Sequence, residues 1–301
     1  MMDWIAVDWG TSSLRAWWIG HDGVIKDHRS SDQGMGTLSS DEFEPTLLGL
    51  IDDWLTPDAK TQVFACGMIG ARQGWVEASY TPVPCTPSQT HLTTAPVSDP
   101  RIDVSILSGL SQTKPTTDVM RGEETQISGY LAQHPHFDGV ICLPGTHTKW
   151  VHVSAGEVIS FQTVMSGELF AAISQHTVLR HSVSGDDWDQ DSFDTAVDVT
   201  LSRPAAFATE LFSLRASDLV LGQSHGAARA RLSGLLLGME LAATKPYWLG
   251  QIVILIGAPA LCDLYRASLR AQGVMVDTAD ATTVTLAGLA AAYKHKFGTL
   301  E

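Results

Sequence analysis

Near its start the chain alternates short apolar runs with polar turns. Residues 4–7 and 14–19 are rich in Trp, Ile and Val, and after His21-Asp22-Gly23 a third run follows at 24–28. Branched and aromatic residues bounded by turn formers predict three strands joined as a meander. The spacing then changes: Phe43, Leu47, Leu50, Ile51 and Trp54 recur at helical intervals behind Ser40 and Asp41, either of which would cap the helix. A short apolar strand is expected over 62–65. The stretch 81–100 is rich in Pro, Thr and Ser and predicts irregular connections with a few short strands.

The same order returns later. A helix is expected over 125–132, a hairpin within 139–153 and its third strand at 158–164. Ser166-Gly167-Glu168-Leu169 would open a helix, and Phe193, Val197 and Leu201 mark helical inserts within 187–214. Residues 232–244 read as a helix with small residues for close packing. Strand 252–256, helix 260–272, strand 274–277 and helix 284–296 complete the pattern. Meander, helix and strand thus occur twice, as in a duplicated α/β domain. The expected division is a first half of residues 1–119 and a second of 120–301, with the last helix packing back on the first.

The two hairpins have similar tips, Asp8-Trp9-Gly10-Thr11-Ser12-Ser13 and Pro144-Gly145-Thr146-His147-Thr148-Lys149. Glycine lets the backbone approach a ligand, and Thr and Ser hydroxyls join N–H groups as donors to anionic oxygen. Two such tips suit one polyphosphate.

Composition narrows the partners. The chain has 301 residues, 44% hydrophobic and 17% charged, enough for one large or two ordinary globular domains. A net charge of -14 argues against a nucleic-acid backbone as ligand, because that recognition needs clustered Lys and Arg. The four cysteines form no CxxC pair, which points to free thiols rather than a zinc site or a disulfide framework. The most apolar stretch, 252–262, is interrupted by Gly257 and Pro259 and is shorter than the roughly 20 residues a membrane span needs. With no signal-peptide pattern at the start, a soluble cytoplasmic protein is expected.

Asp8 closes an apolar strand before a glycine, so it reads either as a turn aspartate or as a magnesium-positioning carboxylate. The hydroxyl-rich tip and its echo at Gly145-Thr146 favour magnesium. Met120-Arg121-Gly122-Glu123-Glu124-Thr125-Gln126 sets a cation and two carboxylates at the start of a helix. Acidic residues suit a helix N-terminus in any case. Phosphoryl transfer to an alcohol, however, needs a carboxylate to accept the hydroxyl proton, and Glu123 or Glu124 could serve. Cys66-Gly67-Met68-Ile69-Gly70-Ala71-Arg72 leaves a strand through a glycine-rich turn, and Ile256-Gly257-Ala258-Pro259 does so near the C-terminus. Neither G-x-x-x-x-G-K-[ST] nor a helix-opening G-x-G-x-x-G occurs, so both common nucleotide motifs are excluded. The histidines lack metal-binding spacing and read as surface residues, His147 in the second hairpin excepted.

With these motifs in this order, the chain resembles the sugar kinases of the actin, hexokinase and Hsp70 superfamily. Residues 119–126, 144–151, 163–169 and 232–236 narrow the resemblance to the 2-dehydro-3-deoxygalactonokinases. It implies two lobes, each a ribonuclease H-like meander with helices, in an actin-like ATPase fold with ATP and magnesium in an interlobe cleft. The implied reaction is transfer of the γ-phosphoryl group to the 6-hydroxyl of 2-dehydro-3-deoxy-D-galactonate, a step in galactonate breakdown. Asp8 would organise magnesium. Gly10, Thr11, Ser12, Ser13 and Gly145, Thr146, His147, Thr148, Lys149 would hold phosphates, and Gly257 the nucleoside. Gly67, Met68, Gly70, Arg72 and Arg121 are expected at the sugar acid, with Arg15, Arg72 or Arg121 taking its carboxylate. Lys149 and Arg15 would neutralise charge on the departing phosphoryl group. Glu123 is the first choice of base and Glu124 the second. The adjacent glutamates depart from the wider superfamily, which places an aspartate there. A kinase for another sugar or sugar acid, or an actin-like ATP-binding regulator, is the competing expectation. Partners are limited to the two small molecules, with a homodimer compatible.

Overall fold

The computed structural model describes residues 2–298 apart from 90 and 186. They form two compact units. One runs to Asp138 and includes Val153–Phe161 and the chain from Ala279 on; the other comprises Gly139–His152 and Gln162–Thr278.

In the first unit, β1 (Trp4–Trp9), β2 (Leu14–Ile19) and β3 (Ile25–Ser31) form the expected meander. After α1 (Phe43–Ile51), β4 (Thr61–Gly67) pairs in parallel with β1, which sets Cys66 beside Asp8 and Gly67 beside Trp9. The stretch expected to hold irregular connections and a few short strands carries β5 (Tyr80–Pro82) and β6 (Leu92–Thr94), and then come β7 (Ile102–Leu107), β8 (Gly109–Gln112) and β9 (Asp118–Met120). The main sheet has the order β3-β2-β1-β4-β7-β6, and β5-β8-β9 form a small second sheet. The helix capped at Ser40 or Asp41 starts later than expected, at Phe43, with neither side chain capping it. Instead Glu42 folds back to accept from the Ser39 N–H at 2.8 Å.

The five-stranded sheet has the order β12-β11-β10-β13-β14, built from β10 (Gly139–Leu143), β11 (Thr148–Ser154), β12 (Glu157–Val164), β13 (Ile252–Ile256) and β14 (Met275–Ala279); its Val153–Phe161 stretch counts with the first unit and most of the rest with the second. The helices are α3 (Ser166–His176), α4 (Gln190–Ser202), α5 (Phe207–Leu221), α6 (His225–Ala243), α7 (Lys245–Trp248) and α8 (Pro259–Ala271). Phe193 and Val197 of α4, Leu237 and Leu241 of α6, and Leu269 of α8 bury against Val140, Trp150 and Val253 of the sheet.

The contact-defined boundary differs from the expected 119/120, and helix packing is the reason. α2 (Glu123–Gln133) lies against α9 (Ala281–Phe297) so closely that a methyl group on Gly129 would sit 1.8 Å from the Val284 carbonyl oxygen. One on Gly288 would sit 1.9 Å from that of Thr125. α9 in turn buries Leu289, Ala292 and Tyr293 against Trp4, Ala6 and Phe64, while Ile5, Val7 and Trp9 face α1 on the other side of the sheet. Both helices therefore belong to the first unit. A central sheet covered on both faces also explains why β1 reads as a continuous apolar run rather than an alternating one. Among the described residues, no helix is long and apolar enough to cross a membrane.

Candidate active site

Asp8 and Arg15 are direct register partners across the β1–β2 hairpin, so their side chains share one face, and they form an ion pair. Arg15 also donates Nη1 to Thr282 Oγ1 at 3.3 Å. The neighbouring pair, Trp9 and Leu14, points into the core and is fully buried. Alternation thus anchors one face of the hairpin and offers the other to a ligand. Its tip, Thr11 to Ser13, is exposed and is fastened from behind by Met35 N–H on Gly10 O and Gly36 N–H on Thr11 O, both 2.9 Å.

Asp8 and Gly10 line a pocket of about 160 Å³ together with Gly67, Met68, Arg121 and Glu123. Gly67 and Gly122 adopt φ of +92° and +103°, and a methyl on Gly122 would lie 3.3 Å from Gly67 Cα. Only glycine meets both the left-handed backbone and that close approach cheaply. The two turns picked out in the sequence therefore meet backbone to backbone, and α2 begins at their junction.

The adjacent glutamates have different surroundings. Glu123 is half-buried and lines the pocket, with Oε2 accepting from Arg121 N–H at 3.1 Å. Glu124 is buried; it accepts from Gly122 N–H at 2.6 Å and from Thr125 Oγ1 at 2.9 Å. Burial, and then the nearby Glu123, push its carboxyl up to about 7.

The arginines also part company. Arg121 is buried, donates Nη2 to Ala78 O at 2.7 Å and stacks over Tyr80 at 4.4 Å, while Nε and Nη1 have no hydrogen-bond partner among the described residues. Gly70 is buried beside that guanidinium: a methyl there would come 2.8 Å from Nη1, so Gly70 makes room for Arg121 rather than lining the pocket. Arg72 is not brought into the pocket. Its side chain is 80% exposed and meets Glu77 at 3.4 Å, because the chain turns outward after Ala71. Gln126, at the end of the motif noted above, lines the pocket joined at 3.3 Å to Thr285, which carried no signal because nothing in the sequence pairs α2 with α9.

The second unit holds a larger cavity, about 410 Å³. Gly145 and Thr146 of the second hairpin reach it, as do Leu236 and Leu237 of α6 and Leu261 and Leu264 of α8. Arg229 and Ser233 add polar groups, with Arg229 also 5.0 Å over the Phe170 ring. Ser233 sits in a sequence motif noted above; Arg229 carried no such signal. α3 docks directly on the tip: Glu168 N–H donates to Thr146 O at 3.0 Å, and a methyl on Gly167 would sit 2.3 Å from Gly145 O. His147 is exposed and meets Glu168 at 2.5 Å. Gly257 lies behind the tip, where a methyl would be 2.9 Å from Pro144 O, and does not line the cavity.

Thr148 and Lys149 do not extend the tip as expected. Thr148 is fully buried against Tyr265 at 3.0 Å, and Lys149, on the other face of β11, donates to Thr163 Oγ1 at 2.9 Å. Both already belong to the strand, where alternation turns them into the protein.

The family model for 2-keto-3-deoxy-galactonokinase matches residues 8–292. The chain is 41% identical, over 95% of each sequence, to a Rhizobium meliloti protein named "Probable 2-dehydro-3-deoxygalactonokinase". It is 32% identical to the 2-dehydro-3-deoxygalactonokinase of Escherichia coli, over 95% of this chain and 96% of the other. The crystal structure of a Sinorhizobium meliloti protein described as a "putative 2-dehydro-3-deoxygalactonokinase protein" superposes with a TM-score of 0.91 at 40% identity, covering 98% of this chain and 99% of that one. The fold alone is shared with component A of the Acidaminococcus fermentans (R)-2-hydroxyglutaryl-CoA dehydratase, at a TM-score of 0.51 and 15% identity over 99% of each chain.

Proposed function

Because the chain belongs to the 2-keto-3-deoxy-galactonokinase family, we propose that it transfers the γ-phosphoryl group of ATP to the 6-hydroxyl of 2-dehydro-3-deoxy-D-galactonate. The observation that carries the site assignment is the first-unit pocket, where Asp8, Arg121 and Glu123 converge on the paired glycine backbones. Glu123, facing the pocket, accepts the hydroxyl proton as the bond from O6 to phosphorus forms and the bond from phosphorus to the ADP oxygen breaks. Glu124 is a positioning residue, holding the Gly122 N–H that shapes the turn. Arg121 takes the carboxylate of the acid: among the described residues its Nε and Nη1 have no partner, whereas Arg15 is paired with Asp8 and Arg72 meets Glu77 at the surface. Arg15 also offsets charge on the transferring group.

Magnesium fits this donor set. It needs only one or two carboxylates beside phosphate oxygens, and Asp8 lines the pocket. No group of three or more His, Cys, Asp or Glu side chains suited to a metal is found among the described residues, so the phosphates would complete the coordination. When bound, the ion neutralises phosphate charge. The cavity of about 410 Å³ takes the nucleoside, its leucines against the base and Arg229 and Ser233 toward the ribose; its size is within the usual range for small-molecule sites. Gly10 to Ser13 and Gly145 to His147 supply phosphate donors. We place the reaction in the cytoplasm, with these two small molecules as partners.

ADP release measured with the galactonate-derived and gluconate-derived 2-keto-3-deoxy acids tests the reading. The galactonate-derived acid should give the higher kcat/KM by at least about tenfold, the discrimination that hydrogen bonding to one hydroxyl readily supplies. Absence of ADP release with either acid would overturn it.

A further inference from the structure

The buried face of α6 is built from glycine, alanine and leucine with one exception, Glu240, which is fully buried. A buried carboxylate is costly unless its oxygens are hydrogen-bonded, and an apolar residue of similar volume is often more stabilising. Here the oxygens are satisfied. Trp150 donates Nε1 to Oε1 at 2.9 Å, and the Tyr265 hydroxyl lies 3.0 Å and 2.9 Å from the two oxygens. Burial raises the Glu240 carboxyl and holds the Tyr265 phenol well above its ordinary pKa, so the phenol keeps its proton and its hydroxyl donates to Glu240. The Thr148 hydroxyl, 3.0 Å away, then donates to the Tyr265 oxygen.

Each partner leads to the cavity. Tyr265, on α8, is part of its wall, as are Gly145 and Thr146 at the hairpin tip. Thr148 and Trp150 begin the strand that leaves that tip. One carboxylate on α6 therefore ties the cavity wall to the base of the hairpin.

Resting on the reading of this cavity as the nucleoside site, we infer that Glu240 is a positioning residue for the nucleotide. Through Tyr265 and Trp150 it holds the cavity wall and the Gly145–Thr146 tip in one arrangement, so that base and phosphate contacts form together. A structural role alone would lower the active fraction without distinguishing the two substrates. A positioning role acts on the nucleotide and spares the acid, which is assigned to residues of the first unit.

Two variants test this by magnesium-ATP kinetics and ADP titration calorimetry. Glu240→Gln replaces an acceptor by an NH2 donor, facing either the Trp150 N–H or the Tyr265 O–H. Tyr265→Phe keeps the ring in the wall and removes its hydrogen bonds to Glu240 and Thr148. Each should raise the KM for ATP and the Kd for ADP about tenfold, the scale of one buried hydrogen bond. The KM for the sugar acid should stay within about twofold. Tyr265→Phe decides the matter if Glu240→Gln does not fold. ADP affinity within twofold of wild type, in a variant with wild-type circular dichroism, would overturn the inference. Wild-type protein that binds no ADP would instead overturn the nucleoside reading of the cavity, and the inference with it.

Discussion

Replacing Glu124 by glutamine should change how stability depends on pH. In the folded chain burial and Glu123 raise this carboxyl from 4.5 to about 7. Between those values the folded state holds a proton that the unfolded state has released, so stability falls as pH rises through the window. Below about 4.5 the penalty is absent; above about 7 it is complete. A displacement of about 2.5 units corresponds to about 3 kcal/mol in full, of which roughly 2.5 kcal/mol develops between pH 5 and pH 8. Glutamine has the same shape and does not titrate. The stability of Glu124→Gln relative to wild type should therefore rise by roughly 2–3 kcal/mol from pH 5 to pH 8. Urea unfolding followed by tryptophan fluorescence reads this directly, because Trp4, Trp9, Trp17, Trp18, Trp54 and Trp75 all lie in the first unit. The surface carboxylates common to both proteins cancel in the difference. A difference that stays flat over this range would show that Glu124 is ionised throughout, and would refute the argument from burial.

Three other substitutions probe separate parts of the account. Asp8→Asn should lower kcat by at least a hundredfold while leaving circular dichroism unchanged, since it removes the carboxylate proposed to sit at the magnesium-bound phosphates. Arg72→Ala should leave kcat and both KM values within twofold of wild type, because this exposed side chain meets only Glu77; a large rise in the KM for the acid would return Arg72 to the site. Gly129→Ala should destabilise the first unit by about 1–3 kcal/mol in thermal unfolding, as its methyl would meet the Val284 carbonyl oxygen at 1.8 Å.

The hairpins, the strand-end position of Asp8 and the Arg121–Glu124 turn could be read from local pattern, because each depends on residues adjacent in the chain. Facing was less legible. Thr148 and Lys149 look like an extension of a phosphate tip, yet β11 has already begun there, and alternation sends Thr148 toward Tyr265 and Lys149 toward Thr163. Arg72 and Arg121 look alike as charges beside glycines. What separates them is tertiary: one follows the chain outward, while the other is enclosed by Ala78, Tyr80 and Gly70. The short strands β8 and β9 escape a periodicity reading because three or four residues hardly establish a period. Glu240 is the clearest case. A carboxylate on a helix reads as a solvent-facing residue until Trp150 and Tyr265, distant in sequence, close over it.

The most direct test of the central claim is ADP formation from ATP, dependent on 2-keto-3-deoxygalactonate, in wild type and Glu123→Gln. Wild type should turn over only when the acid is present. Glu123→Gln should bind both substrates with near-normal KM and lose about 10²–10⁴-fold in kcat, the range of a lost general base. Acid-dependent turnover in Glu123→Gln equal to wild type would contradict the assignment of the first-unit pocket as the site where the hydroxyl is deprotonated.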